Sequence, residues 1–301
     1  MSDLRCGFVA IVGAPSAGKS TLLNRLLGEK VAIVASKPQT TRHRILGVLT
    51  EPQGQLIFWD TPGLHQSERL LNREMLSRAQ SALAEGDVIL WVVDGLKRGP
   101  DHRVAQAMVH QEVQKRKPVI VAINKVDKLT KGGRALLAPL SHELDPGSAG
   151  KVIEISAKTG LGIYALKNEL YRRLPPQNNL YPPETLTDQP LRTMAAEMIR
   201  EAVFRLTSQE IPYATAVTVD EFKEPSDHRG YGISATIHVE KTNQKKMVIG
   251  QGGQMLKNIG QTARINLEKF LGEKVFLSLF VRVTKDWSKN IREIKEFGYG
   301  D

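Results

Sequence analysis

Cysteine is almost missing from this chain of 301 residues, for Cys6 stands alone. That excludes a disulfide framework and any cysteine-rich zinc site, and it suits a reducing compartment. Long apolar runs are missing as well. The longest, Val88–Val93 and Val119–Ile123, fall far short of the roughly 18 residues a membrane span needs. The seven histidines form no H-x-x-x-H pair, and nothing groups a serine nucleophile with a histidine and an aspartate. The opening Met-Ser-Asp-Leu-Arg-Cys lacks a signal-peptide layout, because the apolar stretch after it runs into a glycine loop and not a cleavage site. The expected protein is soluble and cytoplasmic, with Cys6 structural at the start of the first strand.

What is present is ample core and a surplus of positive charge. Hydrophobic residues make up 41% and charged residues 25%, so the chain can bury real cores. Its length allows about two domains of ordinary size. The formal charge is +10, and it is uneven. Residues 1–180 hold 25 basic and 16 acidic side chains, residues 181–301 hold 17 and 16. A polyanionic partner is implied, and no more than that.

The strongest break is Leu174-Pro-Pro-Gln-Asn-Asn-Leu-Tyr-Pro-Pro, whose prolines can neither continue a helix nor hold a central strand. It divides the chain into residues 1–174, an extended linker over 175–190, and residues 191–301. Before it, the runs Phe8–Val12, Gly47–Thr50, Gln55–Trp59, Val88–Asp94, Val119–Asn124 and Val152–Ile155 alternate with helical patterns. This predicts an α/β domain with a mostly parallel, doubly wound sheet. After it come a helix (Leu191–Leu206), two alternating strands (Ala214–Phe222 and Tyr231–Glu240), a glycine-interrupted helical stretch (Gln244–Leu271) and a strand (Val275–Val283). That is a smaller α+β domain with a three-stranded sheet.

Gly13-Ala14-Pro15-Ser16-Ala17-Gly18-Lys19-Ser20 fits G-x-x-x-x-G-K-[ST], and Thr21 follows it. It stands after a strand and opens a helix, the context that makes the pattern a phosphate loop. Its backbone N–H groups and helix N-terminus face phosphate oxygens, Lys19 adds a full charge, and the Ser20 hydroxyl suits Mg²⁺. Asp60-Thr61-Pro62-Gly63 closes the run Gln55–Trp59 and puts a carboxylate at the sheet edge where such folds bind ligands. Asp60 suits the metal, through water, and the Gly63 N–H can approach a γ-phosphate. Asn124-Lys125-Val126-Asp127 ends the run Val119–Ile123. A carboxylate at Asp127 that accepts two N–H bonds from one purine edge selects guanine, whereas adenine would face it with a lone pair. Ser156-Ala157-Lys158 ends the next strand, where the Ala157 N–H can reach guanine O6 or the segment can serve as an ordinary helix start. In Pro38-Gln39-Thr40-Thr41-Arg42-His43-Arg44 either threonine can close over metal and γ-phosphate; the plain alternative is a basic solvated loop.

With these pieces in order the first part resembles a translation-factor-type GTPase, and the whole chain resembles the Era GTPases, which join such a domain to a C-terminal RNA-binding KH domain. The resemblance implies GTP hydrolysis to GDP and phosphate with Mg²⁺, and it assigns the metal-binding threonine to Thr41. Two positions depart from relatives. Leu64 stands where Ras-like proteins keep a water-orienting Gln, which predicts slow intrinsic hydrolysis and leaves the catalytic residue unassigned. Ser16 stands where potassium-activated relatives carry Asn.

Residues 241–267 contain no Asp or Glu and carry Lys241, Lys245, Lys246, Lys257 and Arg264. Within them Val248-Ile249-Gly250-Gln251-Gly252-Gly253 resembles the KH signature, and the order of elements is that of the prokaryotic (type II) KH domain. Glycines at such a turn let backbone press on a sugar–phosphate chain beside an apolar groove for about four single-stranded bases. The RNA-contacting candidates are Lys245, Lys246, Ile249, Gly250, Gln251, Gly252, Gly253 and Lys257. Trp287 can stack on a base or pack under a short terminal helix. Arg42, Arg44, Lys97, Arg98 and residues 115–117 offer further cations to an RNA backbone, or are merely solvated. The family implies small-ribosomal-subunit assembly, with the 3′ end of small-subunit (16S) ribosomal RNA and the 30S subunit as partners. A monomer is expected, in part weakly associated with the inner face of the cell membrane, although no helix is both strongly apolar on one face and basic on the other. The competing reading is an RNA chaperone whose GTP site only stabilises its fold.

Overall fold

The computed structural model describes residues 4–34, 41–42, 44–64, 70–97, 99–147, 150–208, 210–225 and 230–299. Pro38, Gln39, Thr40, His43 and Arg98 lie outside the described residues. The chain forms two compact units, the first mainly of residues up to Asp188 and the second mainly from Gln189 onward.

The first unit carries β1 (Arg5–Val12), α1 (Lys19–Leu27), β2 (Ile45–Glu51), β3 (Gly54–Asp60), α2 (Leu70–Glu85), β4 (Val88–Asp94), α3 (Pro100–Gln114), β5 (Val119–Asn124), α4 (Lys131–Ala135), α5 (Leu137–Glu143), β6 (Gly150–Glu154) and α6 (Ile163–Arg173). The sheet order is β2-β3-β1-β4-β5-β6. All pairs are parallel except β2 with β3. Because the central strands have helices on both faces, successive residues are buried without alternation: Val9, Ala10, Ile11 and Val12 are all fully buried. Ala79 and Leu83 of α2, Ala105 and Val109 of α3, and Leu137 and Leu140 of α5 close one core cluster with Ile89, Trp91, Val121 and Ile123. Cys6 is buried as expected, and burial raises its thiol pKa.

The proline-rich stretch is extended, and it is fastened to this unit along its length. Cys6 N donates to Pro175 O (3.3 Å), and Gln177 N donates to Leu4 O (3.1 Å). The Gln55 carboxamide accepts from Leu180 N and Tyr181 N and donates to Tyr181 O (3.0, 2.9 and 3.0 Å). Val48 N donates to Leu186 O at 2.8 Å. Chain without a ladder of its own thus satisfies its polar backbone on an existing sheet.

The second unit holds α7 (Leu191–Leu206), β7 (Ala216–Lys223), β8 (Tyr231–Val239), α8 (Thr242–Ile249), α9 (Gln254–Leu271), β9 (Val275–Val283) and α10 (Ile291–Glu296). Its sheet order is β7-β8-β9, with β8 antiparallel to β7 and parallel to β9. Ile233, Ala235, Ile237 and Val239 alternate inward along β8 and are buried, as a half-covered sheet requires. Met198, Ala202, Ile259, Ala263 and Leu267, buried on α7 and α9, complete that core.

Candidate functional site

The loop between β1 and α1 curls around its own lysine. Lys19 Nζ donates to Gly13 O and Ala14 O, both at 3.1 Å. Gly18 has φ +100, and a Cβ there would lie 2.3 Å from Asn124 Nδ2, so only glycine fits. Ser16 holds the left-handed conformation at φ 61. Thr21 follows in the first turn of α1, and Ala17 N bonds back to Ala14 O (3.3 Å). The segment after β3 lies across this loop. Thr61 Oγ1 donates to Ile11 O (2.8 Å), and Leu64 N donates to Gly13 O (3.1 Å). Beyond Pro62, a Cβ on Gly63 would fall 2.7 Å from Pro15 Cα.

Ser20, Thr41 and Asp60 meet at one point. Ser20 Oγ donates to Asp60 Oδ2 at 2.6 Å, the Ser20 and Thr41 hydroxyls are 2.7 Å apart, and Thr41 Oγ1 is 3.5 Å from Asp60 Oδ2. Asp60 is fully buried, and its Oδ1 has no hydrogen-bond partner among the described residues. Burial raises the carboxyl pKa to about 6, against the opposing pull of Lys19 and the two hydroxyls. Burial likewise lowers Lys19 to about 8, with Asp60 pulling the other way. An all-oxygen donor set around a buried carboxylate with one unsatisfied oxygen fits a hard divalent cation such as Mg²⁺. A proton competes with that cation for Asp60. Magnesium-supported nucleotide binding is therefore expected to weaken as pH falls through about 6. Titrating a fluorescent GDP analogue with and without Mg²⁺ between pH 5 and pH 8 checks this; a pH-independent magnesium effect would refute it.

Around the opposite end of the loop the N-K-x-D segment acts as a tie. Asn124 Nδ2 donates to Ala17 O, and its Oδ1 accepts from Ala157 N, both at 2.9 Å. The Ala157 N–H expected at guanine O6 is thus engaged by Asn124, which a base at that position would have to share. Lys125, at φ 69, donates through Nζ to Ser16 O (2.7 Å) and Asp94 Oδ2 (2.6 Å). The exposed Asp127 carboxylate accepts from Ser156 Oγ at 2.7 Å, and Ser156 Oγ also accepts from Thr159 N (3.1 Å). Arg25 of α1 donates to the carbonyls of Ala157 (3.1 Å for the former) and Lys158. Sequence reading missed Asp94 and Arg25. Asp94 had a signal: it ends β4 in register with Asn124, at the same sheet edge.

Leu64 is 1% exposed and sits in the core cluster with Val12 and Trp91. Its side chain supports the sheet and offers no group to orient water.

In the second unit a turn at Gly250–Gly253 joins α8 to α9, with φ of 74, 57 and 80 at Gly250, Gly252 and Gly253. A Cβ on Gly250 would meet Met255 N at 2.8 Å, whereas Gly252 and Gly253 face open space. Alongside runs an open groove of about 580 Å³ lined by Gly253, Leu256, Lys257, Gly260, Gln261, Arg264, Leu277 and Leu279. Of the candidate RNA-contacting residues, Gly253 and Lys257 line it. Lys246 and Gln251 are exposed and Ile249 half-buried on α8 and the turn, while Lys245 lines a different depression with Asp220, Thr236, Phe280 and Arg282. Leu277 and Leu279 come from β9, far along the chain, which is why local reading missed them.

Trp287 corrects one alternative. It is fully buried, its Nε1 donates to Ala214 O at 2.9 Å, and its ring packs on Phe297 and Tyr299. No face is left for a base.

Residues 8–125 match the family model described as 50S ribosome-binding GTPase, and residues 210–288 match the KH domain model. The GTPase Era of Geobacter metallireducens is 48% identical over 99% of this chain and 100% of its own. The chain belongs to the GTPase Era family. The Era of Marinobacter nauticus is 45% identical over 99% of this chain and 96% of its own. Two solved Era structures superpose over 99% of this chain and all of theirs. One is an Aquifex aeolicus Era variant bound to GDP and aluminium fluoride (TM-score 0.91, 39% identity), the other an Era in complex with MgGDPNP and nucleotides 1506–1542 of 16S ribosomal RNA (0.92, 38%). The fold is therefore that of a P-loop GTPase domain followed by a KH domain, and the activity is that of a GTPase. Among the described residues no helix is long and apolar enough to cross a membrane.

Proposed function

We propose that this Era family member is a GTP-hydrolysing switch that binds the 3′ end of small-subunit ribosomal RNA and acts in assembly of the 30S subunit. The observation that carries the reading is one chain holding both the Ser20–Thr41–Asp60 oxygen cluster beside Lys19 and the groove next to the Gly250–Gly253 turn. Residues 1–174 are assigned to the GTPase domain, 175–190 to the connector and 191–301 to the KH domain with its tail.

In the GTPase domain, the loop from Gly13 to Thr21 and the segment Asp60–Gly63 enclose the phosphates. Lys19 exchanges two backbone carbonyls for β- and γ-phosphate oxygens. Ser20 and Thr41, with Asp60 through water, would hold Mg²⁺, which when bound neutralises charge on the phosphates. Thr41 supplies the switch: a hydroxyl that contributes to the cluster when the γ-phosphate is present is released after hydrolysis. Asn124, Lys125, Asp127 and Ser156–Lys158 read guanine. Leu64 is core, so intrinsic turnover is slow and the water is oriented by another group.

In the KH domain, the turn takes phosphate at the start of α9 and the groove takes about four bases. The relative's RNA, nucleotides 1506–1542, is much longer than that. The wider assignment is a monomer in the cytoplasm, drawn to RNA and weakly to the membrane surface by its +10 charge.

Gln251→Asp with Gly252→Asp tests the RNA half. Two carboxylates on the turn repel the backbone it would receive. Binding of 3′-terminal 16S RNA, read by fluorescence anisotropy, should weaken tenfold or more. Intrinsic GTP turnover should hold, and any RNA-stimulated component should vanish. Undiminished RNA affinity in a folded variant would move the contact to the basic loops of the first unit. Absence of turnover in the wild type, with and without RNA, would favour a structural GTP site.

A further inference from the structure

A base read by backbone is read only while the peptide groups keep their orientation, because a hydrogen bond weakens steeply once its donor turns away. Ala157, whose N–H is assigned to guanine O6, is buried in the turn after β6. Several ties hold this turn. Asn124 Oδ1 accepts from Ala157 N at 2.9 Å, Asp127 Oδ1 accepts from Ser156 Oγ at 2.7 Å, and Ser156 N donates to Leu161 O at 2.9 Å. None of these three takes the carbonyls of Ala157 and Lys158. Two glycines with positive φ, Gly160 at 94 and Gly162 at 75, follow at once. The tie that takes those carbonyls comes from α1. Arg25 Nε donates to Ala157 O at 3.1 Å, and Arg25 Nη2 donates to Lys158 O. A guanidinium presents its donors in a rigid planar fork, so gripping two successive carbonyls fixes two successive peptide planes. Arg25 is exposed in the last turn of α1 and fills no core space. A cation placed there for the helix dipole alone would need no such aim.

We propose that Arg25 is a positioning residue for base specificity: by holding the Ala157–Lys158 backbone it keeps the Ala157 N–H directed at the O6 of guanine. The inference rests on the guanine reading above, and it gives Arg25 no contact with the nucleotide. Ala157 is gripped at both ends, its N–H by Asn124 and its C=O by Arg25. A base that comes to share the N–H therefore meets a donor whose direction is set before binding, which spares the ordering of the turn at that moment. Without Arg25 the chain beyond Ala157 turns freely about the two glycines, and the donor loses alignment. Asp127 is steadied by Ser156 and not by Arg25. Recognition of O6 is thus separable from recognition of N1–H and the exocyclic amine, and that separation is what an experiment can read.

The test uses the full-length protein carrying Arg25→Ala and three diphosphates, so that hydrolysis does not enter. GDP is compared with 6-thio-GDP, whose sulfur is a poor acceptor in place of O6, and with inosine diphosphate, which lacks the amine assigned to Asp127. The side chain is exposed, so the variant folds; a thermal melt verifies it. GDP affinity should fall roughly fivefold while that of 6-thio-GDP hardly changes, so the preference between them shrinks by about the same factor. The preference for GDP over inosine diphosphate should hold. Arg25→Lys, which keeps a long cation within reach of a carbonyl, should recover part of the lost preference. Equal loss for GDP and 6-thio-GDP overturns the proposal, because Arg25 would then brace the fold without steering the donor. Unchanged GDP affinity overturns it as well, and so does a lost preference over inosine diphosphate. Failure of the guanine reading itself has a different signature: wild-type protein would bind ADP as tightly as GDP.

Discussion

Replacing Asp127 by Asn is expected to lower GTP affinity at least tenfold and to raise affinity for xanthosine triphosphate. The carboxylate stands exposed at the end of the N-K-x-D segment, with one oxygen steadied by Ser156 Oγ at 2.7 Å. Guanine offers it two donors, N1–H and the exocyclic amine. Bonds to a charged group are worth roughly 1.5–3 kcal/mol each, and about 1.4 kcal/mol is a factor of ten. An Asn at this position keeps one acceptor and turns the other atom into a donor that faces the amine of guanine. Xanthine carries a carbonyl there and keeps N1–H, so the donor gains a partner. The geometry of the tie is left intact, because Asn124 and not Asp127 joins Ala17 to Ala157. Competition binding of GTP and xanthosine triphosphate to wild type and variant decides it. Unaltered GTP affinity would remove Asp127 from base recognition.

The contrast between Asp127 and Asn124 marks where sequence reading succeeds and where it stops. Strands buried on both faces read as continuous apolar runs, so Val88–Asp94 and Val119–Asn124 have the same bounds in sequence and structure. Helix α7 after Pro190 and strand β9 do as well. Motifs that are local in the chain, such as the loop Gly13–Ser20 and the turn Gly250–Gly253, carry their own context of strand, helix or glycine. Partners contributed by distant elements carry none. Asp94 reaches Lys125, Arg25 reaches the carbonyl of Ala157, and Leu279 reaches the groove only after the chain has folded. Proline told of an extended segment at 175–190 but not of its docking, which depends on donors and acceptors of Gln55 and Val48 more than a hundred residues earlier. Trp287 was ambiguous for a related reason. An indole stacks as readily on a base as on Phe297, and only the carbonyl of Ala214 waiting for its N–H decides between them.

Lys19→Ala should have the larger effect of the two substitutions, and it should spare RNA binding. The ammonium is fully buried, held by the carbonyls of Gly13 and Ala14 and within the field of Asp60. Burial lowers its pKa to about 8 even against the pull of Asp60, which means that the fold bears a cost to keep a cation here. Phosphate oxygens reverse that cost: they supply charge-assisted acceptors and favour the protonated lysine. Alanine removes a cation that meets two phosphates, each contact worth roughly 1.5–3 kcal/mol, so GTP and GDP affinity should fall about a hundredfold or more. It also deprives Asp60 of the opposing pull on its carboxyl, so the pKa near 6 should move further upward and the magnesium effect should require higher pH. The distinction from simple misfolding comes from the second unit. In the same preparation, 3′-terminal RNA measured without nucleotide should bind as tightly as to wild type, because the groove draws on residues from Gly253 to Leu279 alone. Nucleotide binding that survives the loss of Lys19 would mean that the curled loop is not where the phosphates lie.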